Sequence, residues 1–286
     1  MNALSRALYG EDEISAGEMQ SWFEVPDVEM LVALDGGSVA GYADLVDNAL
    51  EHKRFWIDLR VPPGERAEEV ASALMDAMEA RAAELAVAEA SVRTSIFSPD
   101  EMGHRMAESR GYELYRHSFR MGIEFDGALP EFDWPEGISV RTFVPGQDDA
   151  RVYAAQQEAF EDHFEHASWP YESWRAWAFT ESFDPALWWI AEEGDEIAGV
   201  CLGRGEAGAA GELGWVNVLG VRRPWRRRGV GRALLVNAFA EFRARGKRGA
   251  GLGVDGLNPT GAVALYERAG MHVVRRYDQY RKPLAA

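Results

Sequence analysis

Arg226-Arg227-Arg228-Gly229-Val230-Gly231-Arg232 separates an apolar, strand-like run, Trp215 to Val221, from a helix-like run, Ala233 to Arg243. Strand, glycine turn and helix N-terminus together form an anion site. Glycine lets a backbone approach a ligand closely. The first N–H groups of a helix lack intrahelical partners and lie at the positive end of its dipole. Such an end takes phosphate readily, and the arginines of the stretch add charge. Other glycine-rich phosphate loops fit less well. No Lys-Ser/Thr pair follows the glycines, which excludes a P-loop. Leu234 stands where a Rossmann turn has its third glycine.

The basic stretch reverses the sign of the chain around it. The 286 residues carry 47 Asp and Glu against 30 Lys and Arg, a formal net charge of −17. Nucleic acid and anionic lipid are met by broad basic faces, so neither is expected as a partner. A cationic substrate such as an amine is favoured, although the same charge also serves solubility. In this setting the local basic turn points to a phosphorylated ligand. No apolar run approaches the ~20 residues that span a bilayer. The start, Met1-Asn2-Ala3-Leu4-Ser5-Arg6, lacks the regions of a signal peptide. The lone cysteine, Cys201, cannot make an internal disulfide, which fits a cytoplasmic protein. Its place in the apolar run Ile197 to Leu202 reads as a core thiol, not a nucleophile.

The length suits one large domain or two ordinary ones. A break rich in Pro, Gly and acid, Asp126 to Glu136, reads as a linker between residues 1–125 and 137–286. In the second part, strands are expected at Ile138 to Phe143, Trp188 to Glu192, Ile197 to Gly203, Trp215 to Val221, Gly251 to Asp255 and His272 to Tyr280, the last closing its sheet. Helices are expected at Asp148 to Phe164, Tyr171 to Thr180, Val230 to Gly246 and Thr260 to Ala269. The first part has much the same order: a hairpin, Glu29 to Leu34 and Val39 to Val46, a strand Phe55 to Val61, a long helix Glu65 to Ala86, a strand Ser91 to Phe97, a helix Asp100 to Arg110 and an extended run Tyr112 to Glu124. The repeat is thus a whole domain. Val61 corresponds to Val221 and Ala73-Leu74 to Ala233-Leu234 without a gap, and Gly111-Tyr112 corresponds to Gly270-Met271.

The motif Arg226-x-x-Gly229-x-Gly231, after a strand and before a helix, resembles the phosphate loop of the GNAT acetyltransferases. Downstream, Asn258, Ala262, Leu265-Tyr266 and Gly270-Met271 resemble that family's second motif. The match covers about residues 137 to 284, and the first half matches in layout. The resemblance implies an α/β fold of two tandem GNAT-like domains, each a mixed, mostly antiparallel central sheet flanked by helices. The tandem arrangement is similar to the mycothiol synthase branch of the family. One departure matters: where that branch carries a glutamate near the start of the fourth strand, a candidate base, this chain has Trp215.

The resemblance further implies an N-acetyltransferase that moves an acetyl group from acetyl-CoA to a small-molecule amine by direct attack in a ternary complex. A CoA-binding sensor or scaffold without efficient transfer is the alternative. Backbone N–H groups from Arg228 to Arg232, with Val230 and Gly231 between them, would cradle the pyrophosphate. Arg226, Arg227 or Arg228 would pair with phosphate oxygens. Leu219, Gly220 and Val221 would expose backbone to the pantetheine arm, and the Leu219 N–H would stabilise the developing oxyanion. Tyr266 is the expected general acid for the departing thiolate. Asn258 would bond the pantetheine or cap its helix. For the base, Glu212, Asp255, Glu158, Glu165 and His163 all stand open. Asp162-His163-Phe164-Glu165-His166 has no standard metal spacing and reads as a substrate-facing loop or surface, so no metal is expected. Most of Trp169, Trp174, Trp177, Trp188 and Trp189 should be core, with one or two walling the acceptor pocket.

The first copy departs at the same places. Its loop reads Arg66-Ala67-Glu68-Glu69-Val70-Ala71, so Glu69 replaces the first glycine, and Ala107 stands where Tyr266 stands. It is expected to shape the acceptor pocket while the second copy performs the chemistry, as a monomer or homodimer with one active site per chain.

Overall fold

The computed structural model describes residues 28–47, 51–164, 170–180, 183–207, 211–258 and 260–284. In chain order these form β1 (Val28–Asp35), β2 (Ser38–Asp47), β3 (Arg54–Arg60), α1 (Ala67–Leu85), β4 (Ser91–Phe97), α2 (Glu101–Ser109) and β5 (Glu113–Glu124). There follow β6 (Ser139–Thr142), α3 (Asp149–Phe160), α4 (Tyr171–Ala178), β7 (Trp188–Glu193), β8 (Glu196–Ala207), β9 (Leu213–Val221), α5 (Val230–Ala244), β10 (Gly249–Asp255), α6 (Ala262–Arg268) and β11 (His272–Pro283). The chain divides into two compact units: Met1–Ser118 with Gly208–Ala210 and Arg275–Ala286, and Phe119–Ala207 with Gly211–Val274.

In the first unit β1, β2 and β3 run antiparallel in turn, and β4 lies parallel to β3. The β1–β2 turn has Gly36 at φ 56° and Gly37 at φ 87°, the left-handed pair that a two-residue hairpin turn requires. Helix α1 places Ala71, Leu74, Met75, Met78 and Ala82 against Phe55, Ile57 and Val92 of the sheet. Each large side chain among them contributes roughly 1.5–3 kcal/mol when fully buried. Asp100 caps α2 by accepting from the Gly103 N–H at 3.0 Å.

The second unit orders its strands β10-β9-β8-β7-β6. All neighbours are antiparallel except β9 and β10, which are parallel. One face is covered by α5, whose Leu234, Leu235, Phe239 and Phe242 pack with Val216, Leu252 and Val254. On the other face Trp174 and Val152 pack with Trp188, Ile190, Val200, Leu202 and Val218. Trp174, Trp188 and Trp189 are buried, whereas Trp177 is 38% exposed; Trp169 lies outside the described residues. The segment between the halves is packed as well, with Leu129, Phe132 and Trp134 against the α5 core. Arg243 and Arg232 donate to the carbonyls of Gly127 and Glu131 at 2.8 and 3.0 Å.

Two expectations differ from the structure. The helix expected over Asp148 to Phe164 stops at Phe160, and residues 161–164 turn instead. The strand expected to close the second sheet, β11, pairs from Tyr277 to Pro283 with β4 of the first unit. Alternation along a strand states which face is buried, but not which neighbour it joins.

Candidate active site

The site begins where two parallel strands part. β9 is laddered to β10 only from Leu213↔Gly249 to Val216↔Leu252. Beyond that point β9 continues to Val221 and β10 to Asp255 without pairing to each other, while β9 remains paired to β8 as far as Val221↔Gly199. At the parting β9 carries a bulge. Leu202 pairs with Val218 and Gly203 with Val216, so Asn217 opposes no residue. A bulge bends a strand and re-aims the side chains that follow it. Gly220 then lets α3 close in, since a Cβ there would lie 3.0 Å from the Ala159 Cβ and 3.1 Å from the Phe160 ring.

The basic stretch follows at the end of β9. A 3₁₀ turn over Arg223–Trp225 leads to Arg227 at φ 63° and Gly229 at φ 92°. Gly229 is the N-cap of α5, and no acidic residue stands in the first turn. The conformation at Gly229 costs an L-residue roughly 1–2 kcal/mol, which explains the glycine. Gly231 serves packing: a Cβ there would meet Leu265 of α6 at 3.2 Å and Val221 at 3.3 Å. The start of α5 is therefore a helix N-terminus that holds no carboxylate of its own in its first turn.

The arginines of the stretch do different things. Arg226 turns inward, donating to the carbonyls of Val221 and Ala159 and, at 2.5 Å, to the Asp162 carboxylate. Arg223 meets the same carboxylate at 2.6 Å, and the two guanidinium groups hold Asp162 well below the usual carboxylate range. Arg228 is bound at 2.6 Å to Glu193 in the β7–β8 turn. Trp225 also donates to Glu193, whose carboxyl is pulled down to about 2, mainly by Arg228. Arg227 and Gly229 are exposed. Nothing in the sequence marks Asp162, Glu193 and Asn217 for these roles, because the partners of the two carboxylates lie about 30 to 65 positions away.

Tyr266 of α6 is 8% exposed, within the core that also holds Cys201. Burial, and then the Cys201 thiol beside it, push the phenol up to about 12. Cys201 is itself buried and pairs across the sheet with Leu219. Tyr266, Leu219 and the parted strand ends are thus brought into one region, with the phenol held protonated.

The model of the acetyltransferase (GNAT) family matches residues 2–112 and 150–271. The chain is 34% identical over 244 residues to a mycothiol acetyltransferase of Streptomyces coelicolor, covering 85% of this chain and 76% of that one. A GCN5-related N-acetyltransferase from Sphaerobacter thermophilus superposes with TM-score 0.80 at 35% identity, over 94% of this chain and 85% of that one. A tandem GNAT protein from the clavulanic acid biosynthesis pathway shares the fold, with TM-score 0.70 at 16% identity over 99% of this chain and 94% of that one. The chain belongs to the GNAT acetyltransferase family.

As a GNAT acyltransferase of tandem type, it places its other expected site residues unevenly. Asp255 ends β10, where its Oδ1 accepts from the Leu257 N–H at 2.9 Å. Asn258 accepts from the Thr260 N–H at 2.9 Å and from its hydroxyl. Gly261, not Asn258, is the residue that caps α6. Glu212 lies before the opposite end of β9, ion-paired with Arg248. Nine residues of extended strand, about 3.3 Å each, separate it from the basic stretch. Trp215 lies under the Arg120 guanidinium, 5.3 Å from the ring centre, and against the bare backbone of Gly251. Glu165 and His166 lie outside the described residues. Among the described residues no three His, Cys, Asp or Glu side chains gather as a metal site. No described helix is long and apolar enough to cross a membrane.

Proposed function

We propose that the second unit transfers an acetyl group from acetyl-CoA to a primary amine of a small molecule, by direct attack within a ternary complex. The observation that carries this reading is the parting of β9 from β10 between a carboxylate-free helix N-terminus and a buried, protonated tyrosine. The residues present fit the cofactor. The amides after Gly229 and the exposed Arg227 suit a pyrophosphate, and the β10-facing edge of Leu219, Gly220 and Val221, which stay paired to β8 on the other side, suits an amide-bearing arm. When bound, acetyl-CoA supplies the activated acyl group as a thioester.

The Leu219 N–H would stabilise the negative charge that develops on the acyl oxygen. Tyr266 would give its proton to the departing sulfur, and its raised pKa keeps that proton in place throughout the physiological range. Cys201 is not recruited, since burial pushes the thiol up and disfavours a thiolate nucleophile. The names of the relatives make mycothiol-related amines the first acceptors to try. The protein works in the cytoplasm as a monomer or homodimer, with one acetyl-CoA site per chain.

The test is acetyl-CoA consumption with a panel of primary amines: glucosamine, cysteinyl amides and short peptides. Acetylated product should be seen by mass spectrometry with at least one of them. Binding of acetyl-CoA without any acetylated product would support a sensor instead.

A further inference from the structure

β10 alternates glycine with larger residues: Gly249-Ala250-Gly251-Leu252-Gly253-Val254-Asp255. Ala250, Leu252 and Val254 are buried in the core that α5 covers. The glycines therefore lie on the opposite face, since successive residues of a strand point to opposite sides. Two of the three are explained by what surrounds them. A Cβ at Gly249 would collide with the Ile123 carbonyl oxygen, and one at Gly251 with the Trp215 ring.

Gly253 is different. A Cβ there would meet no described atom within 4 Å, and the residue is exposed. Its φ lies outside the left-handed region that demands glycine. The frame does not demand it either. Gly253 is the first residue of β10 beyond the last ladder pair, Val216↔Leu252. At the same step in the first copy, just beyond Ile57↔Thr94, stands Ser95. A glycine inside a strand weakens it. Where neither backbone conformation nor packing requires one, it marks the close approach of a ligand.

The face decides which ligand. On the proposed reading, acetyl-CoA is met by the start of α5 and by Tyr266 of α6, whose core is that of Leu252 and Val254. Gly253 opens to the other side of β10. On β9, one residue beyond the same ladder pair, Asn217 is exposed between the buried Val216 and Val218. Both strands are thus open to solvent where they begin to part.

Resting on the transfer reading above, we propose that Gly253 sets acceptor specificity: its bare backbone is the floor of the acceptor site and admits an amine borne on a branched carbon. In such an amine the carbon next to nitrogen carries two further groups. One of them lies in the space that a Cβ on residue 253 would fill. An unbranched amine carries one further group there and leaves that space empty.

The experiment compares the full chain with Gly253→Ala and Gly253→Val, using acetyl-CoA, the best branched amine of the panel and glycine amide as the unbranched probe. The unaltered chain should prefer the branched amine. Gly253→Val should lower kcat/KM for it at least tenfold, on the scale that one or two methyl groups command in a pocket, with Gly253→Ala between. For glycine amide the loss should be under about threefold. Acetyl-CoA affinity should stay within about twofold, and Tm should hold or rise by about 1–3 °C, as for replacing a strand glycine that the fold does not need. Equal kcat/KM changes for the two amines, or none, would overturn the assignment. A tenfold loss of acetyl-CoA affinity would do so by placing the cofactor on this face, and a lowered Tm by making Gly253 a packing residue. If the unaltered chain acetylates no amine, the transfer reading itself fails, and this assignment with it.

Discussion

The two copies of the fold open in the same way and close differently. In the first, β3 and β4 are laddered from Arg54↔Ser91 to Ile57↔Thr94 and then pair no further. In the second, β9 and β10 do the same over four pairs. Beyond the opening the two copies diverge. Helix α1 begins after Arg66 at φ −104°, with Glu68 and Glu69 in its first turn. Arg66 binds Glu69 at 3.0 Å and Asp35 at 2.9 Å. Its helix N-terminus is thus met by the chain's own carboxylates, and its arginine is engaged by them. Helix α5 begins after Gly229 at φ 92° with no acid in the first turn, and the carboxylates of Asp162 and Glu193 are turned to the arginine side chains of the loop. β9 has the Asn217 bulge, whereas β3 pairs with β2 in unbroken register. Finally Ala107 fills with a methyl group the place where Tyr266 brings a phenol. A shared backbone frame therefore supplies an opening in both copies, and on the proposed reading a few side chains decide whether an anion can enter it.

The strongest way to break this contrast is to copy the first loop into the second. Gly229→Glu should weaken acetyl-CoA binding more than about a hundredfold by calorimetry. It imposes the left-handed conformation on an L-residue and puts a carboxylate at the phosphate. Retained affinity would mean that the loop is not the site. The reverse change, Glu69→Gly, should create no measurable acetyl-CoA binding in a chain whose second loop carries Gly229→Glu. Arg66 still pairs with Asp35 and Glu68 remains in the first turn.

Tyr266→Phe sharpens the second difference. Turnover should fall about a hundredfold with acetyl-CoA affinity nearly unchanged, as for loss of a general acid. The phenol's pKa is raised, from an ordinary value near 10 to about 12. The fold therefore favours the protonated form, and that stabilisation is whole below pH 10 and is lost as pH rises toward 12. The tyrosinate absorbance that disappears in Tyr266→Phe should titrate near 12. Titration near 10 would refute the burial argument.

The smallest effect belongs to the fastening of the loop. Glu193→Gln removes the charge that holds Arg228, so acetyl-CoA affinity should tighten only a few-fold, with a steeper salt dependence. Glu193 has a depressed pKa, so its contribution is present above pH 4.5 and is lost as pH falls toward 2. The acid-induced loss of stability over that window should be smaller in the Gln variant. Weakened binding in the variant would instead make the Glu193–Arg228 pair a support of the loop.

Much of the frame was legible in the sequence because it is written in local signals. The β1–β2 turn needs left-handed residues at its tip and has Gly36-Gly37 there. Helix α2 has Asp100 at its cap. The start of α5 is marked by Gly229 and Gly231. The helix expected through Phe164 ran too long because Asp162 looks like any helix-surface acid until Arg223 and Arg226, some 60 positions on, draw it away. The same blindness affected the arginines. Three in a row leave open which of Arg226, Arg227 and Arg228 would meet a phosphate, and in the structure Arg226 and Arg228 donate to Asp162, Glu193 and backbone carbonyls. Glu212, one of the five base candidates open in the sequence, lies at the far end of β9 from the turn, because an extended strand carries it there. Asn217 was silent, since a bulge is a relation between two strands and neither strand contains it alone.

By itself the sequence determined the order of strands and helices and the glycine turn that opens α5, where the proposed anion site lies. These depend on backbone conformation and on residues within a few positions of one another, where glycine, proline and the apolar period act directly. Only the tertiary structure decided which arginines are engaged, that β11 pairs its last residues with β4, and that His163 meets Asn258 from some 95 positions away. Those depend on charges and strand edges that meet across the fold, and the pairing energy of such groups exists only once folding has brought them within a few ångströms.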